Sequence, residues 1–232
     1  AVGQSLHEHD RNEIEIDLGR TFPDHPLFAG DAILSDSAPV KPSSAADAAD
    51  NRPASPQLEP RGRTALRRVL LAYVAHNRGL GYCQALNYVG GMLLLLTELR
   101  EELAFFLMIH LTERCVTDFY SKYMTGIRLE QKLFEDVFRA SLPRLAAHLD
   151  ECGLPLSIVT TNWFMCLYVN TLPAETLLRV WDLLVFEDSS VLVRVGVALL
   201  KLAEPELLVI HDFIELSARL QRLGKGVWLA DT

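Results

Sequence analysis

The chain is poor in cysteine, in long apolar runs and in excess positive charge, and each shortage removes a class of function. Its 232 residues hold four cysteines, Cys83, Cys115, Cys152 and Cys166. No two form a Cys-x-x-Cys pair, and each lies in or beside an apolar stretch, as reduced cytosolic thiols do, so neither a disulfide framework nor a zinc site is expected. His7-x-His9 is followed by no third ligand at a usable spacing, and reads as a solvated face of an acidic helix. The longest oily run, Tyr88 to Leu96, is interrupted by Gly90-Gly91 and falls far short of the roughly 20 residues a membrane span needs. Residues 1–15 are polar and charged, unlike a signal peptide. The absent initiator Met and the early onset of a motif are read as an excised domain of a longer protein. Formal net charge is −8 and the isoelectric point is near 5.4, which argues against nucleic acid as a partner. No Gly-x-x-x-x-Gly-Lys-[Ser/Thr] loop is present, so the chain is not expected to hold a nucleotide itself. Strand-like alternation and Asn-Gly hairpin signals are missing too.

What is present is helix after helix. Leu66, Val69, Leu70, Tyr73 and Val74 fall on one apolar stripe, and Gly79 closes that helix near Arg78. A second helix is predicted from about Gln84 to Leu99, apolar nearly all round and therefore buried. A third, Glu101 to Glu113, should turn Phe105, Phe106 and Ile109 inward. Leu129 to Ala140, Pro143 to Asp150, Asn162 to Asn170, Pro173 to Glu187, a central Val191 to Ala203, Glu204 to Ile210 and His211 to Leu223 follow. The fold class is all-α, and the irregular spacing excludes a repeat solenoid. At this length one substantial core is expected, spanning residues 1–232.

One stretch departs from that pattern. Between Ser35 and Pro60 there are five Ser, five Pro and six Ala, with no aromatic residue, too little apolar surface to offset the entropy of ordering. Residues 29–62 are therefore read as a long disordered loop inserted into one domain, because closing a longer loop costs only slowly more. Just beyond it, Arg61, Arg63, Arg67 and Arg68 cluster where cations oppose a helix dipole. They read as a solvated basic turn, with an acidic partner surface or anionic lipid as the alternative contact.

Two short segments could carry chemistry. Ile14-x-x-Asp17-x-x-Arg20 runs into Thr21-Phe22-Pro23, which ends a helix just past the arginine. Asp17 lies three residues before Arg20, so its carboxylate can brace the guanidinium. Gly79-Leu80-Gly81-Tyr82-Cys83-Gln84 then offers an amide with both donor and acceptor after a flexible turn. Asn87, one turn on, is placed either to orient Gln84 or Arg20 or on the helix surface. Tyr82 and Cys83 read as scaffold, since nothing in the sequence activates the thiol. On residue types alone an Asp–Arg surface pair and a glutamine serving local backbone would be the simpler readings.

With a third block, Trp163-Phe164, Pro173 and Arg179-Val180-Trp181-Asp182, preceded by His148-Leu149, these motifs resemble the TBC domain of Rab GTPase-activating proteins, from about residue 12 to 222. The resemblance implies an irregular all-helical domain that accelerates GTP hydrolysis by a Rab-type small GTPase in vesicle trafficking. It implies Arg20 and Gln84 as catalytic residues lent in trans; Asp17, Tyr82 and Asn87 are expected in support, and the Arg179–Asp182 block is assigned to holding the fold, with Arg179 or Asp182 as a GTPase contact the alternative. No cofactor is expected, because GTP and Mg²⁺ would be held by the GTP-bound partner. Location would be cytoplasmic, with membrane contact through the GTPase only. The alternatives are a catalytically silent adaptor of the same fold that binds a small GTPase or another partner, and a helical scaffold whose insert or basic turn binds something else. The sequence departs from the family pattern at Ala85, where Gly is commoner, and at Leu86, often Met; both changes are expected to be tolerated. The insert begins close behind Arg20, where it could shape the GTPase-binding face, and family members usually begin further upstream.

Overall fold

The computed structural model describes residues 2–29, 59–121 and 123–225, with side chains from residue 8 onward. Ten α-helices make up the described residues, which contain no strand: α1 Val2–Arg20, α2 Arg61–His76, α3 Leu86–Leu96, α4 Glu101–Ile109, α5 Thr125–Ser141, α6 Pro143–Glu151, α7 Ser157–Met165, α8 Ala174–Phe186, α9 Ser190–Leu207 and α10 Phe213–Gln221. A π-helical segment, His110–Cys115, continues α4. One apolar cluster runs from Ile14 to Leu223. Helix α1 packs on α2 and α3, α2 and α3 pack on α4, and α5 on α9. Tyr120 Oη, in the turn before α5, donates to the Met165 carbonyl at the end of α7 at 2.8 Å.

The apolar stripe of α2 is buried as its spacing requires, Leu66, Leu70 and Tyr73 fully so. Other expectations are corrected. Helix α4 buries Ala104 and Met108 and leaves Phe106 at 58% exposure. The path of α3 explains this: at Gly90 it comes close to Leu66 and the Met108 sulfur, so α4 needs only a narrow stripe against it. The helix expected over Asn162–Asn170 is Ser157–Met165 instead. Past it the chain reverses through left-handed Leu167 and Tyr168. A left-handed conformation is costly for such residues. It holds here because both are fully buried and Tyr168 Oη donates to the Leu192 carbonyl at 2.7 Å. The expected break at Glu204 is also absent: α9 runs through Pro205 to Leu207, whose fully buried side chain anchors the last turn.

The expected insertion lies mostly outside the described residues, at 30–58, but its flanks are informative. The Gly62 N–H donates to the Leu27 carbonyl at 2.8 Å, so the chain leaves and re-enters at one point. A Cβ at Gly62 would lie 2.5 Å from that carbonyl oxygen. Residues 59–62, expected within the loop, are structured, and α2 begins at Arg61. Nor is the arginine cluster simply solvated. Arg67 binds Glu15 of α1 through two hydrogen bonds, of 2.6 and 2.8 Å, and also Glu59, while Arg68 pairs with Glu101.

One core carboxyl is a liability. Glu130 on α5 is 7% exposed, its Oε1 has no partner, and Ser189 Oγ donates to Oε2 at a long 3.5 Å. Burial, with the nearby Asp188 charge, raises its pKa above the ordinary carboxylate value. An acid whose folded pKa is raised carries no such cost below the unfolded value; the destabilisation grows as pH climbs from there to the folded value and then levels off. Glu130→Gln is thus expected to raise the melting temperature at pH 7 by about 2–4 °C, the equivalent of ~1 kcal/mol at this size. The gain should vanish below pH ~4.5. A constant difference across pH would remove the explanation.

Candidate functional site

Helix α1 ends where its buried stripe meets α3. Asp10, Ile14, Asp17, Leu18 and Thr21 recur at helical spacing and are all buried. Gly91 of α3 allows the approach, since a Cβ there would lie 2.9 Å from the Phe22 ring and 3.0 Å from the Thr21 methyl. Thr21 Oγ1 donates back to the Asp17 carbonyl at 2.7 Å and accepts from the Asn87 amide at 2.8 Å. Asn87 is fully buried and fixes the end of α1, which rules out the surface reading of that residue.

Held this way, Arg20 projects from the last turn of α1 with 44% of its side chain exposed. Its Nη2 lies 2.5 Å from Asp17 Oδ1. The other oxygen of that carboxylate, Oδ2, accepts from the Tyr82 hydroxyl at 2.6 Å. Burial, then the Asp17 carboxylate, raises the Tyr82 pKa, so the phenol stays a donor. Gln84 is exposed and lies against the guanidinium. Only its oxygen can face five donors, and in that orientation it accepts from Arg20 Nη1 at 3.2 Å and from Nη2. Sixty-four residues apart in sequence, Arg20 and Gln84 touch at the surface.

Gln84 does not open α3 as expected. It sits in the turn before it, and α3 starts at Leu86. Ala85 between them is left-handed, with φ 85°, which favours glycine there on physical grounds. Alanine at this site is therefore strained, not neutral. Ala85→Gly is expected to stabilise by about 0.5–1 kcal/mol: relief of a ~1–2 kcal/mol left-handed cost less glycine's greater unfolded entropy. Thermal melts read this, and a lower melting temperature would contradict it. Cys83, beside it, has its thiol pushed up to about 11 by burial, then by Asp17. It is protonated at neutral pH and a poor nucleophile.

Arg179 and Asp182 of α8 are both exposed and pair with each other at 3.5 Å; neither contacts Arg20 or Gln84. Trp181 between them is buried, donating from Nε1 to the Leu167 carbonyl at 3.0 Å. Beside Arg20 an open groove of about 590 Å³ is lined by Phe22, Pro23, His25, Tyr88, Asn170 and Lys225, among others. A cleft of about 690 Å³ between α5, α6 and α7 shares no lining residue with it. His148, Cys152 and His211 place donor atoms within 4.8 Å of one another. However, His148 Nε2 lies 2.8 Å from the Ile210 carbonyl, an acceptor that requires a proton on that nitrogen. The group reads as a polar tie between α6 and the turn before α10. Sequence reasoning missed Asp10, whose signal was its place two helical turns before Asp17 on the stripe of Ile14.

A family model described as the Rab-GTPase-TBC domain matches residues 46–208. The chain belongs to this family. The matched stretch contains Gln84 and begins after Arg20. The chain is 33% identical over 215 residues to growth hormone-regulated TBC protein 1 of Xenopus tropicalis, covering 93% of this chain and 55% of that protein. It is 32% identical over 226 residues to human TBC1 domain family member 2A, covering 97% and 21%. It thus spans about half the length of the growth hormone-regulated relatives. Among solved structures, the Chlamydomonas flagellar RabGAP TBC domain matches with a TM-score of 0.69 and 31% identity, over 94% of this chain and 65% of that one. The Ypt/Rab-GAP domain of Gyp1p shares the fold, with a TM-score of 0.71 at 20% identity, over 96% and 69%. No helix of this TBC domain, among the described residues, is long and apolar enough to cross a membrane.

Proposed function

We propose that this TBC domain accelerates GTP hydrolysis by a GTP-bound Rab-type GTPase, lending it Arg20 and Gln84. The observation that carries the reading is the contact between an exposed guanidinium at the end of α1 and an exposed carboxamide in the turn before α3. Charge spreads over the phosphoryl oxygens in the transition state of such a transfer, and a planar, permanently charged guanidinium suits them better than an ammonium does. Asp17 braces Arg20 from the buried side and leaves other N–H groups for phosphate oxygens. As the guanidinium turns to the phosphate, the Gln84 oxygen is released to accept from the attacking water. GTP and Mg²⁺ belong to the partner, so this chain contributes side chains and no substrate site of its own.

Single-turnover hydrolysis across a panel of Rab-type GTPases tests the reading. Acceleration of at least one member that is lost both on removing Arg20 and on removing Gln84 supports it. Binding without acceleration would establish the adaptor instead, and an absence of GTPase binding would remove both.

A further inference from the structure

We propose that Asp10 is a positioning residue for Gln84, setting where the glutamine loop sits along α1. The inference rests on the function proposed above. Asp10 is 8% exposed and makes no ion pair among the described residues, an unusual situation for a carboxylate. Its one hydrogen-bonding partner there is the loop: Oδ1 accepts the backbone N–H of Tyr82 at 3.0 Å. Gly81 is what lets the carboxylate come so close. Its φ is 73°, and a Cβ would stand 3.1 Å from Asp10 Oδ1.

Tyr82 is thereby held at two points by one helix, its backbone by Asp10 and its hydroxyl by Asp17. The two carboxylates are seven residues apart, about 10 Å along the axis. With Asp17 alone, the loop could pivot about the phenol. With both, its backbone is fixed relative to the helix that carries Arg20, and Gln84 follows two residues later. Between Gly81 and Ala85, both left-handed, Tyr82 and Cys83 lie against the core, and the one further backbone hydrogen bond made from residues 82–84 is to the Cys83 carbonyl, from the Leu86 N–H at 3.2 Å. Misplacing a reacting group by about 1 Å can cost ~10²-fold in rate.

The test is single-turnover GTP hydrolysis with a GTPase that responds to the wild-type chain, using D10A, D10N, Q84A and D10A/Q84A. D10A is expected to slow the maximal rate on the order of 10- to 100-fold, with the half-saturating concentration little changed. D10N keeps an oxygen acceptor for the Tyr82 N–H and should recover most of the rate. D10A/Q84A should be no slower than Q84A, because the first substitution acts only through the glutamine. Multiplicative losses, a D10A defect confined to affinity, or wild-type rates for D10A would each overturn the proposal. Full activity in Q84A would instead overturn the functional reading and any catalytic consequence of Asp10. Hydrogen exchange at the Tyr82 amide then decides the anchoring itself: faster in D10A but not in D10N supports it, and no change in D10A overturns it.

Discussion

Replacing Arg20 by lysine is expected to slow stimulated GTP hydrolysis by most of the ~10³–10⁵ that an arginine finger contributes, or about 4–7 kcal/mol of barrier. Lysine is the more informative substitution. Arg20→Ala also strips a partner from Asp17, which is 2% exposed, so lower stability would mix with lower rate. Arg20→Lys keeps a cation near that carboxylate but cannot bridge two phosphate oxygens with a planar fork. The expected pattern is a melting temperature close to wild type, GTPase binding retained, and a collapsed single-turnover rate. A lysine variant within threefold of wild type would sink the assignment of Arg20.

Replacing Gln84 by alanine is expected to cost on the order of 10²-fold in the same assay, the scale of losing a group that aligns the reacting atoms. Stability should not move beyond about 0.5 kcal/mol, because the side chain is exposed and its one contact is with another exposed group. Gln84→Glu is a useful companion. It keeps the shape and would tighten the pairing with Arg20, but brings negative charge towards the γ-phosphate and removes the amide donor. Both variants should bind the GTPase and fail to activate it. If Q84A retained full rate while R20K was slow, the arginine would act alone and the intrinsic glutamine of the GTPase would be the one that orients water.

The arginine and its brace were legible because they are local: Asp17 and Arg20 share a helix face, and an i, i+3 contact needs no knowledge of the fold. The stripe of α2 was legible for the same reason. Gln84 was found through a motif, and its placement in the turn before α3 was not, because a left-handed alanine is a conformation that residue type argues against. Asp10 escaped because a carboxylate on a helix face reads as solvated until the loop that it serves is seen to lie across it. Phe106 was misplaced inward because aromatic character stands for burial only until the neighbouring helix comes close enough to need less.

By itself the amino-acid order determined an all-helical chain, the apolar faces that must be covered, and the Arg20–Asp17 pair, all consequences of the 3.6-residue period acting over a few turns. The meeting of Arg20 with Gln84, the burial of Asn87, and the double hold of Asp10 and Asp17 on Tyr82 were decided only in three dimensions. The reason is that each joins segments more than sixty residues apart, and their approach depends on how closely α1 can lie on α3. Gly91 permits that closeness by lacking a side chain. A methyl group there would stand 2.9 Å from the Phe22 ring and 3.0 Å from the Thr21 methyl, so the side chains at the end of α1 would have to shift.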